Sequence, residues 1–292
     1  MQSVSNADPP EAQKIHRMEK RKILYVTQEM EPYLGTETNM SKICRQLPQA
    51  ILENGFEIRN FMPRYGCINE RRHQLHEVIR LSGMNLVVND SDQPLIIKVA
   101  SIPSARMQVY FIDNEEYFRR KHTLCDQTGT FFEDNDERAI FFARGVLETV
   151  KKLGWIPDVI HCHGWVAGLI PVYLKTALKE DPIYQHAKVV TSLYKTDEFS
   201  GALDGRFAEK VLWNNMQSED YAPEDTRYVS IMKESIRYSD AVVLSNEAVS
   251  EDLVAFAEKS GVRLLKYTPE EDMAGPMATL YDELIDAVVL AD

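Results

Sequence analysis

Two histidines separated by one residue, with glycines after them, form the motif best suited to chemistry in this sequence. His161 and His163 end an apolar run, and side chains two residues apart in a strand face the same side. Gly164 and Gly168 border the turn that follows, where helix amide groups can meet an anion or a sugar hydroxyl. Hydrogen-bonded core histidines, with glycines that only shape the turn, explain the same pattern. The residues alone leave both interpretations open.

The sequence contains only weak signals for a metal site and lacks the standard phosphate-binding loops. His-x-His supplies two zinc ligands without an obvious third nearby, and Cys162 points to the opposite strand face. Segments 90–92 and 134–136 have the Asp-x-Asp form that some sugar-nucleotide enzymes use to hold a metal. A hairpin turn explains the first segment and a helix cap the second. With neither GxxxxGK nor GxGxxG in the sequence, we predict no metal and no cofactor.

Composition excludes several classes of protein. The 292 residues include 33 Lys and Arg against 45 Asp and Glu, a formal charge of −12. This balance argues against binding to nucleic acid or to an anionic membrane, because both attract positive surfaces. No apolar run approaches the ~20 residues of a membrane span, and residues 1–22 lack the apolar region of an export signal. With four widely spaced cysteines, we expect a cytoplasmic protein with reduced thiols.

Strands and helices alternate along most of the chain. Residues 23–27 form a short apolar run typical of a buried strand, and residues 136–153 have the periodicity and charged ends of a helix. The runs 78–88 and 95–102, around a turn at 89–94, predict a β-hairpin. We therefore predict an α/β fold: a Rossmann-like, doubly wound, mostly parallel sheet with a β-hairpin insertion.

The same pattern sets the expected domain organisation. Residues 1–21 are polar and charged, which predicts a disordered tail, and residues 22–292 are expected to form a single domain. Ligands of open parallel sheets bind beyond the carboxyl ends of the strands. Residues 27–32, 161–168 and 192–195 follow or end three predicted strands, so we expect the site there.

Six segments occur in an order that resembles a known family. They are residues 26–32, 47–50, 62–66, 109–118, 134–135 and 157–169. Together they resemble the N-terminal catalytic half of the bacterial glycogen and starch synthases, over about residues 22–261. The chain is most similar to a short, single-domain bacterial branch of that family.

The resemblance implies a fold, a reaction and a set of binding residues. The fold would be the N-terminal half of a two-domain GT-B glycosyltransferase, with the second Rossmann domain absent from this chain. The family reaction is glucosyl transfer from ADP-glucose to an α-1,4-glucan. The candidate substrate-binding residues are Glu29, Thr36, Asp134, Asn135, His161, His163, Gly164, Trp165 and Gly168.

Departures from the family pattern weaken the catalytic interpretation. The family's Lys-Thr-Gly-Gly-Leu loop, whose lysine and glycines approach the donor diphosphate, is replaced by residues 34–40, which lack lysine and gain Glu37. A carboxylate about 4 Å from a diphosphate repels it by roughly 1–4 kcal/mol. The family's His-Asp-Trp-His motif becomes His-Gly-Trp-Val at 163–166, and its His-Asn pair falls near residues 193–194, Leu-Tyr.

Two functions follow as hypotheses. The first is a glucosyltransferase-family protein that is inactive as an isolated chain, because the groups that stabilise a departing diphosphate are missing. The alternative is a non-catalytic descendant that binds a glucan, a nucleotide sugar or a protein. The expected partners are an α-glucan or ADP-glucose, and the face left by the missing domain is expected to be free for a protein partner or for self-association.

Overall fold

Ten strands form one mixed sheet in the computed structural model, which describes residues 20–35, 37–195 and 197–289. The strand order is β10-β9-β8-β7-β1-β2-β6-β5-β3, with β4 paired to β5 off this path. The strands are β1 (Lys22–Thr27), β2 (Glu57–Pro63), β3 (His76–Glu77), β4 (Met84–Val88), β5 (Ser91–Ile102), β6 (Met107–Asp113), β7 (Val159–His163), β8 (Lys188–Leu193), β9 (Ala241–Leu244) and β10 (Arg263–Leu265).

Helices connect these strands. The longest is α4, which ends as the sequence predicts at Gly154, a residue with φ of 61°. The helices are α1 (Asn39–Glu53), α2 (Glu70–His73), α3 (Glu115–Phe118), α4 (Asn135–Leu153), α5 (Leu169–Lys175), α6 (Phe207–Val211), α7 (Tyr228–Arg237), α8 (Glu251–Ser260) and α9 (Ala274–Val289).

The sheet is parallel from β10 to β6, and its order reverses at β1. Strand β1 pairs with β2 on one side and with β7 on the other, both in parallel. Thr27 at the end of β1 lies opposite His163 at the end of β7. A reversal of this kind opens a crevice at the carboxyl ends of the strands, where α/β proteins bind ligands. The predicted α/β class with a mostly parallel sheet is confirmed.

The β-hairpin is present, but its turn is shorter than predicted. Val88 pairs with Ser91, so the turn contains only Asn89 and Asp90 rather than residues 89–94. Asn89 and Asp90 have φ of 47° and 60°. Asn and Asp tolerate this left-handed conformation, and a two-residue turn of that type matches the twist of paired strands. Strand β5 therefore begins earlier and includes Pro94.

Helix α9 packs against α1 and β7. Its residues Met277, Leu280 and Tyr281 are buried. Arg21 forms ion pairs with Asp282 and Asp286 on the same helix. Residues 1–19, where most of the predicted tail falls, lie outside the described residues. Among the described helices, none combines the length and the apolar composition needed to cross a membrane.

Candidate functional site

A cavity of about 760 Å³ lies at the carboxyl ends of the parallel strands and is called the strand-end cavity here. Loops after β1, β2, β7 and β8 supply one side, and the loop before α4 supplies the other. Its lining residues are Gln28, Glu29, Tyr65, His122, Thr123, Leu124, Cys125, Asp126, Gly129, Thr130, Phe131, Trp165, Asp197, Glu198, Phe199 and Ser200.

Carboxyl groups are the main ionisable groups of this lining. It carries the carboxyl groups of Glu29, Asp126, Asp197 and Glu198, whereas none of the described lining residues is Lys or Arg. His122 is the one histidine among the described lining residues. A cavity of this charge disfavours polyanions and tolerates neutral, hydroxyl-bearing ligands.

Aromatic rings provide the apolar part of the lining. Phe131 and Phe199 stack with their ring centroids 4.9 Å apart at an interplanar angle of 18°. Trp165 meets Phe199 edge to face at 5.0 Å. Tyr65 adds a fourth ring. Aromatic faces beside a few polar groups suit a sugar ring, which has apolar C–H faces and hydroxyl edges.

The two histidines lie in the core and do not line the strand-end cavity. They share one strand face as predicted, with ring centroids 4.0 Å apart. His161 Nδ1 lies 2.7 Å from Tyr281 Oη, and its Nε2 lies 2.8 Å from Ser192 Oγ. His163 Nδ1 lies 2.7 Å from Tyr194 Oη. Burial lowers the pKa of both, that of His163 to about 3, so both rings are neutral at neutral pH.

The two glycines permit close backbone packing around the turn. Gly164 has φ of 87°, and a Cβ there would lie 2.7 Å from Gln28 Cβ. A Cβ on Gly168 would lie 2.7 Å from Ser235 Oγ on α7. The Val166 N–H donates to Gln28 Oε1 at 3.3 Å, so a side chain already occupies that amide of the turn. Gly164 thus places Gln28 at the cavity wall.

Asp134 and Asn135 position the loop on the opposite wall. Both carboxylate oxygens of Asp134 accept hydrogen bonds from Arg120, at 2.6 and 2.5 Å. Asn135 Nδ2 donates to the Leu124 carbonyl at 2.8 Å, and its Oδ1 accepts from Arg138 at 2.5 Å. Asp134 occupies the N-cap position, but its side chain makes no capping hydrogen bond, so the helix-cap explanation of this side chain is wrong. Arg120 competes successfully for the carboxylate because it offers two charged donors.

The loop after β1 contributes Glu29. Thr38 Oγ1 donates to the Glu29 carboxylate, and burial raises the pKa of Glu29. Glu37 is exposed and lies 3.6 Å from Lys42 Nζ. Thr36, another candidate from the sequence, lies outside the described residues. Within the described residues there is no group of three or more His, Cys, Asp or Glu side chains able to hold a metal.

Sequence reasoning missed Asp197, the most unusual titratable group of the cavity. Its side chain is almost fully buried, Oδ2 lies 3.4 Å from Tyr228 Oη, and Oδ1 has no hydrogen-bond partner among the described residues. Burial, with the charge of Glu29 adding to it, raises the pKa of Asp197 to about 8. Asp197 comes shortly after β8, and that strand-end position was the available signal. Tyr65, Phe131 and Phe199 were missed as well.

Comparison of folds places the chain beside a solved structure. The catalytic domain of starch synthase IV from Arabidopsis thaliana, bound to ADP and acarbose, superimposes with a TM-score of 0.67 at 16% sequence identity. The match covers 85% of this chain and 51% of that one. At this identity the likeness establishes the fold.

Sequence comparison finds curated relatives in the genus Chlorobium. A glycogen synthase of Chlorobium limicola is 35% identical over 234 residues, which are 80% of this chain and 47% of the relative. A glycogen synthase of Chlorobium luteolum is 40% identical over 192 residues, 65% of this chain and 39% of the relative. The chain thus spans about half or less of the length of these relatives. The family model of the starch synthase catalytic domain matches residues 22–265, and the chain belongs to that glycosyltransferase family.

Proposed function

We propose that the strand-end cavity binds sugar units of a neutral α-glucan, and that this chain by itself does not transfer glucose from ADP-glucose. The observation that carries the proposal is the lining: four aromatic rings and four carboxyl groups, with neither Lys nor Arg among its described residues. The glycogen synthase names of the relatives, and the ADP and acarbose of the Arabidopsis structure, set the ligand classes to be compared.

Charge opposes the nucleotide sugar. Each ionised carboxylate about 4 Å from a diphosphate costs roughly 1–4 kcal/mol in a wet site. Glu29, Asp126 and Glu198 border the cavity, and the exposed Glu37 stands in the loop where the family has a lysine and two glycines. Transition states of diphosphate departure need positive groups or oriented N–H donors, and these lining side chains offer carboxylates instead.

The same side chains suit a neutral sugar. A ring packed on Phe199 or Phe131 buries its C–H face, and its hydroxyl groups reach carboxyl and amide oxygens at the edge. Asp197 offers an oxygen without a partner, and its raised pKa lets it hold a proton at neutral pH and donate it in a hydrogen bond. Gln28 supplies an amide on the same wall.

Two measurements test this function. Calorimetry should detect maltoheptaose binding and no ADP-glucose binding at millimolar concentrations. Purified protein should transfer no glucose from ADP-glucose to glycogen above background. Turnover in the ordinary range of about 1 to 10³ per second, or submillimolar ADP-glucose affinity, would show that the proposal is wrong.

A pair of variants locates the glucan. Phe199→Ala removes one side of the stacked aromatic pair and should weaken maltoheptaose binding about tenfold, since a stacked ring contributes on the order of 1 kcal/mol plus its buried area. Phe256→Ala is the matched control, because Phe256 is also half-buried but lies on α8, outside the lining. Equal losses in both variants would contradict binding in the strand-end cavity.

A further inference from the structure

A second cavity, of about 420 Å³, lies beside α2 on another part of the molecule and is called the α2 cavity here. It is formed where α2, the end of β5 and the loop after β1 meet. Its volume falls in the range of small-molecule pockets. Its lining residues are Pro32, Tyr33, Arg72, His73, Gln74, His76, Ser101, Ile102, Pro103 and Ser104.

The lining of the α2 cavity is basic, although the chain carries a charge of −12. It contains Arg72, His73 and His76, and none of its described residues is acidic. The Arg72 guanidinium has no ion pair or side-chain hydrogen bond with any residue in the described ranges. Arg45 on α1 lies next to this lining, because its Nη2 donates to Ser104 Oγ at 3.3 Å. Arg72 and Arg45 therefore supply the positive charge beside this cavity, whereas burial and the nearby Arg72 lower the pKa of His73.

Tyr33 adds an unsatisfied polar group to this lining. Its side chain is 4% exposed, with its ring held edge to face between His73 at 5.0 Å and Phe111 at 4.9 Å. Its hydroxyl has no hydrogen-bond partner among the described residues. A buried polar group left without a partner destabilises the folded protein, and a ligand that accepts from it removes that cost. Burial raises the pKa of Tyr33 to about 12, so the hydroxyl keeps its proton and remains a donor.

Hydroxyl and amide groups complete the lining. Ser101 and Ser104 lie on the β5 side, and Gln74 follows α2. His76 Nδ1 donates to the Gln74 carbonyl oxygen at 3.1 Å, so the neutral ring offers Nε2 as an acceptor for a ligand hydroxyl. The described lining therefore combines one cationic donor, Arg72, with neutral hydrogen-bonding groups.

We propose that the α2 cavity binds a small hydroxylated metabolite through a single phosphate group. Arg72 would take the phosphate by two parallel N–H bonds, with a ring N–H of His73 and the Tyr33 hydroxyl as further donors. Ser101 and Ser104 would contact hydroxyl groups on the rest of the ligand. The site is separate from the strand-end cavity, so this proposal holds or fails independently of glucan binding.

Calorimetry on the full chain with inorganic phosphate, ribose 5-phosphate and ribose tests the proposal. Ribose 5-phosphate should bind at least about threefold more tightly than phosphate, and ribose should not bind detectably. Ribose bound as tightly as ribose 5-phosphate would overturn the role of the phosphate. Phosphate bound as tightly as ribose 5-phosphate would overturn the role of the hydroxylated part.

Two neighbouring arginines give a matched pair of variants. Arg72→Gln should weaken ribose 5-phosphate binding about tenfold or more, because a charged hydrogen-bond donor is lost. Arg71→Gln makes the same charge change on α2, but Arg71 does not line the cavity, so affinity should change less than about twofold. Equal losses would indicate diffuse attraction to the basic surface and overturn the proposal, as would undiminished binding in Arg72→Gln.

Tyr33→Phe supplies an independent readout. A purely structural role predicts equal or higher thermal stability and unchanged ligand affinity, since the substitution removes an unpaired buried hydroxyl. The proposed site predicts that ribose 5-phosphate affinity falls about threefold to tenfold while stability is preserved. Unchanged affinity in a folded Tyr33→Phe protein would overturn the role of this hydroxyl.

Discussion

The strand-end cavity and the α2 cavity are opposite in charge although one short loop borders both. Gln28 and Glu29 line the first, and Pro32 and Tyr33 line the second. The strand-end cavity carries four carboxyl groups and the α2 cavity an arginine and two histidines, counted over their described lining residues. The net charge of −12 therefore predicts the preferred ligands of only one of them.

The cavities also differ in how their polar groups are supported. Beneath the strand-end cavity, His161 and His163 are neutral and hydrogen-bonded to buried hydroxyls. In the α2 cavity the polar groups lie at the surface of exposed α2, and the buried Tyr33 hydroxyl lacks a partner among the described residues. The histidine network gives the strand-end cavity a preorganised wall. Within the described residues each cavity still has an unpaired polar atom, Asp197 Oδ1 in the first and Tyr33 Oη in the second.

Removing one carboxyl group of the strand-end cavity should have the largest effect on stability. The pKa of Asp197 is about 8 in the folded protein and near 3.8 when unfolded, so the folded state keeps a proton that the unfolded chain has lost. The free energy of unfolding therefore falls as pH rises from about 4 to about 8. Asp197→Asn should remove this fall. The gain in the free energy of unfolding of the variant over wild type should therefore be larger at about pH 8 than at about pH 5, by about 3 kcal/mol.

Asp126→Asn is the control for that experiment, measured by denaturant unfolding at both pH values. Asp126 lines the same cavity, but hydrogen bonds from Thr128 and Thr130 lower its pKa. Its substitution should therefore produce no gain between about pH 5 and about pH 8. A gain equal to that of Asp197→Asn would contradict the burial of Asp197 as the cause.

A methyl group on Gly164 should have the next largest effect. Gly164→Ala combines a positive φ with a contact of 2.7 Å to Gln28 Cβ, and should cost about 2–3 kcal/mol. Gly55 also has a positive φ, of 95°, but a Cβ added there would have no atom within 4 Å. Gly55→Ala should therefore lower the free energy of unfolding by only about 1–2 kcal/mol. Thermal unfolding of both variants measures the difference.

The same Gly164 variant tests whether the two cavities are independent. The new methyl group should displace Gln28 and thereby reduce the affinity for maltoheptaose. The affinity for ribose 5-phosphate should stay within about twofold of the wild-type value. Equal losses for both ligands would show that the shared loop transmits the displacement as far as Tyr33.

The salt dependence of ligand affinity should differ between the two cavities, and this is the smallest of the expected effects. Raising NaCl from about 50 mM to about 500 mM should weaken ribose 5-phosphate binding several-fold, because the Debye length shortens from more than 10 Å to less than 8 Å. Maltoheptaose is neutral, so its affinity should change less than about twofold. Parallel salt responses measured by calorimetry would contradict the assignment of the ligands.

The parallel sheet could be predicted because its strands are short apolar runs separated by helices with clear ends. The family resemblance is confirmed by the match over residues 22–265. The hairpin turn was predicted too long, since Pro94 suggested a loop whereas Asn89 and Asp90 alone close the turn. Local composition marks the region of a turn, but pairing between strands sets its length.

The site was harder to predict than the fold. Spacing correctly placed His161 and His163 on one face, but the buried partners Ser192, Tyr194 and Tyr281 come from distant segments. Asp197 carries no local signal of its raised pKa, because that shift arises from burial by surrounding loops. Long-range contacts of this kind are not visible in a single sequence.

Helix α9 lies beyond the matched region 22–265, yet Tyr281 on it contacts both His161 and Tyr25. A fragment that ends at residue 265, the last residue matched by the family model, would therefore lack α9 and the part of the hydrophobic core that α9 covers. The apolar sides of α1 and β7 that α9 covers would be exposed to solvent. His161 would also lose the hydroxyl group that lies next to its Nδ1. Expression vectors for this protein should retain the chain through Val289 at least.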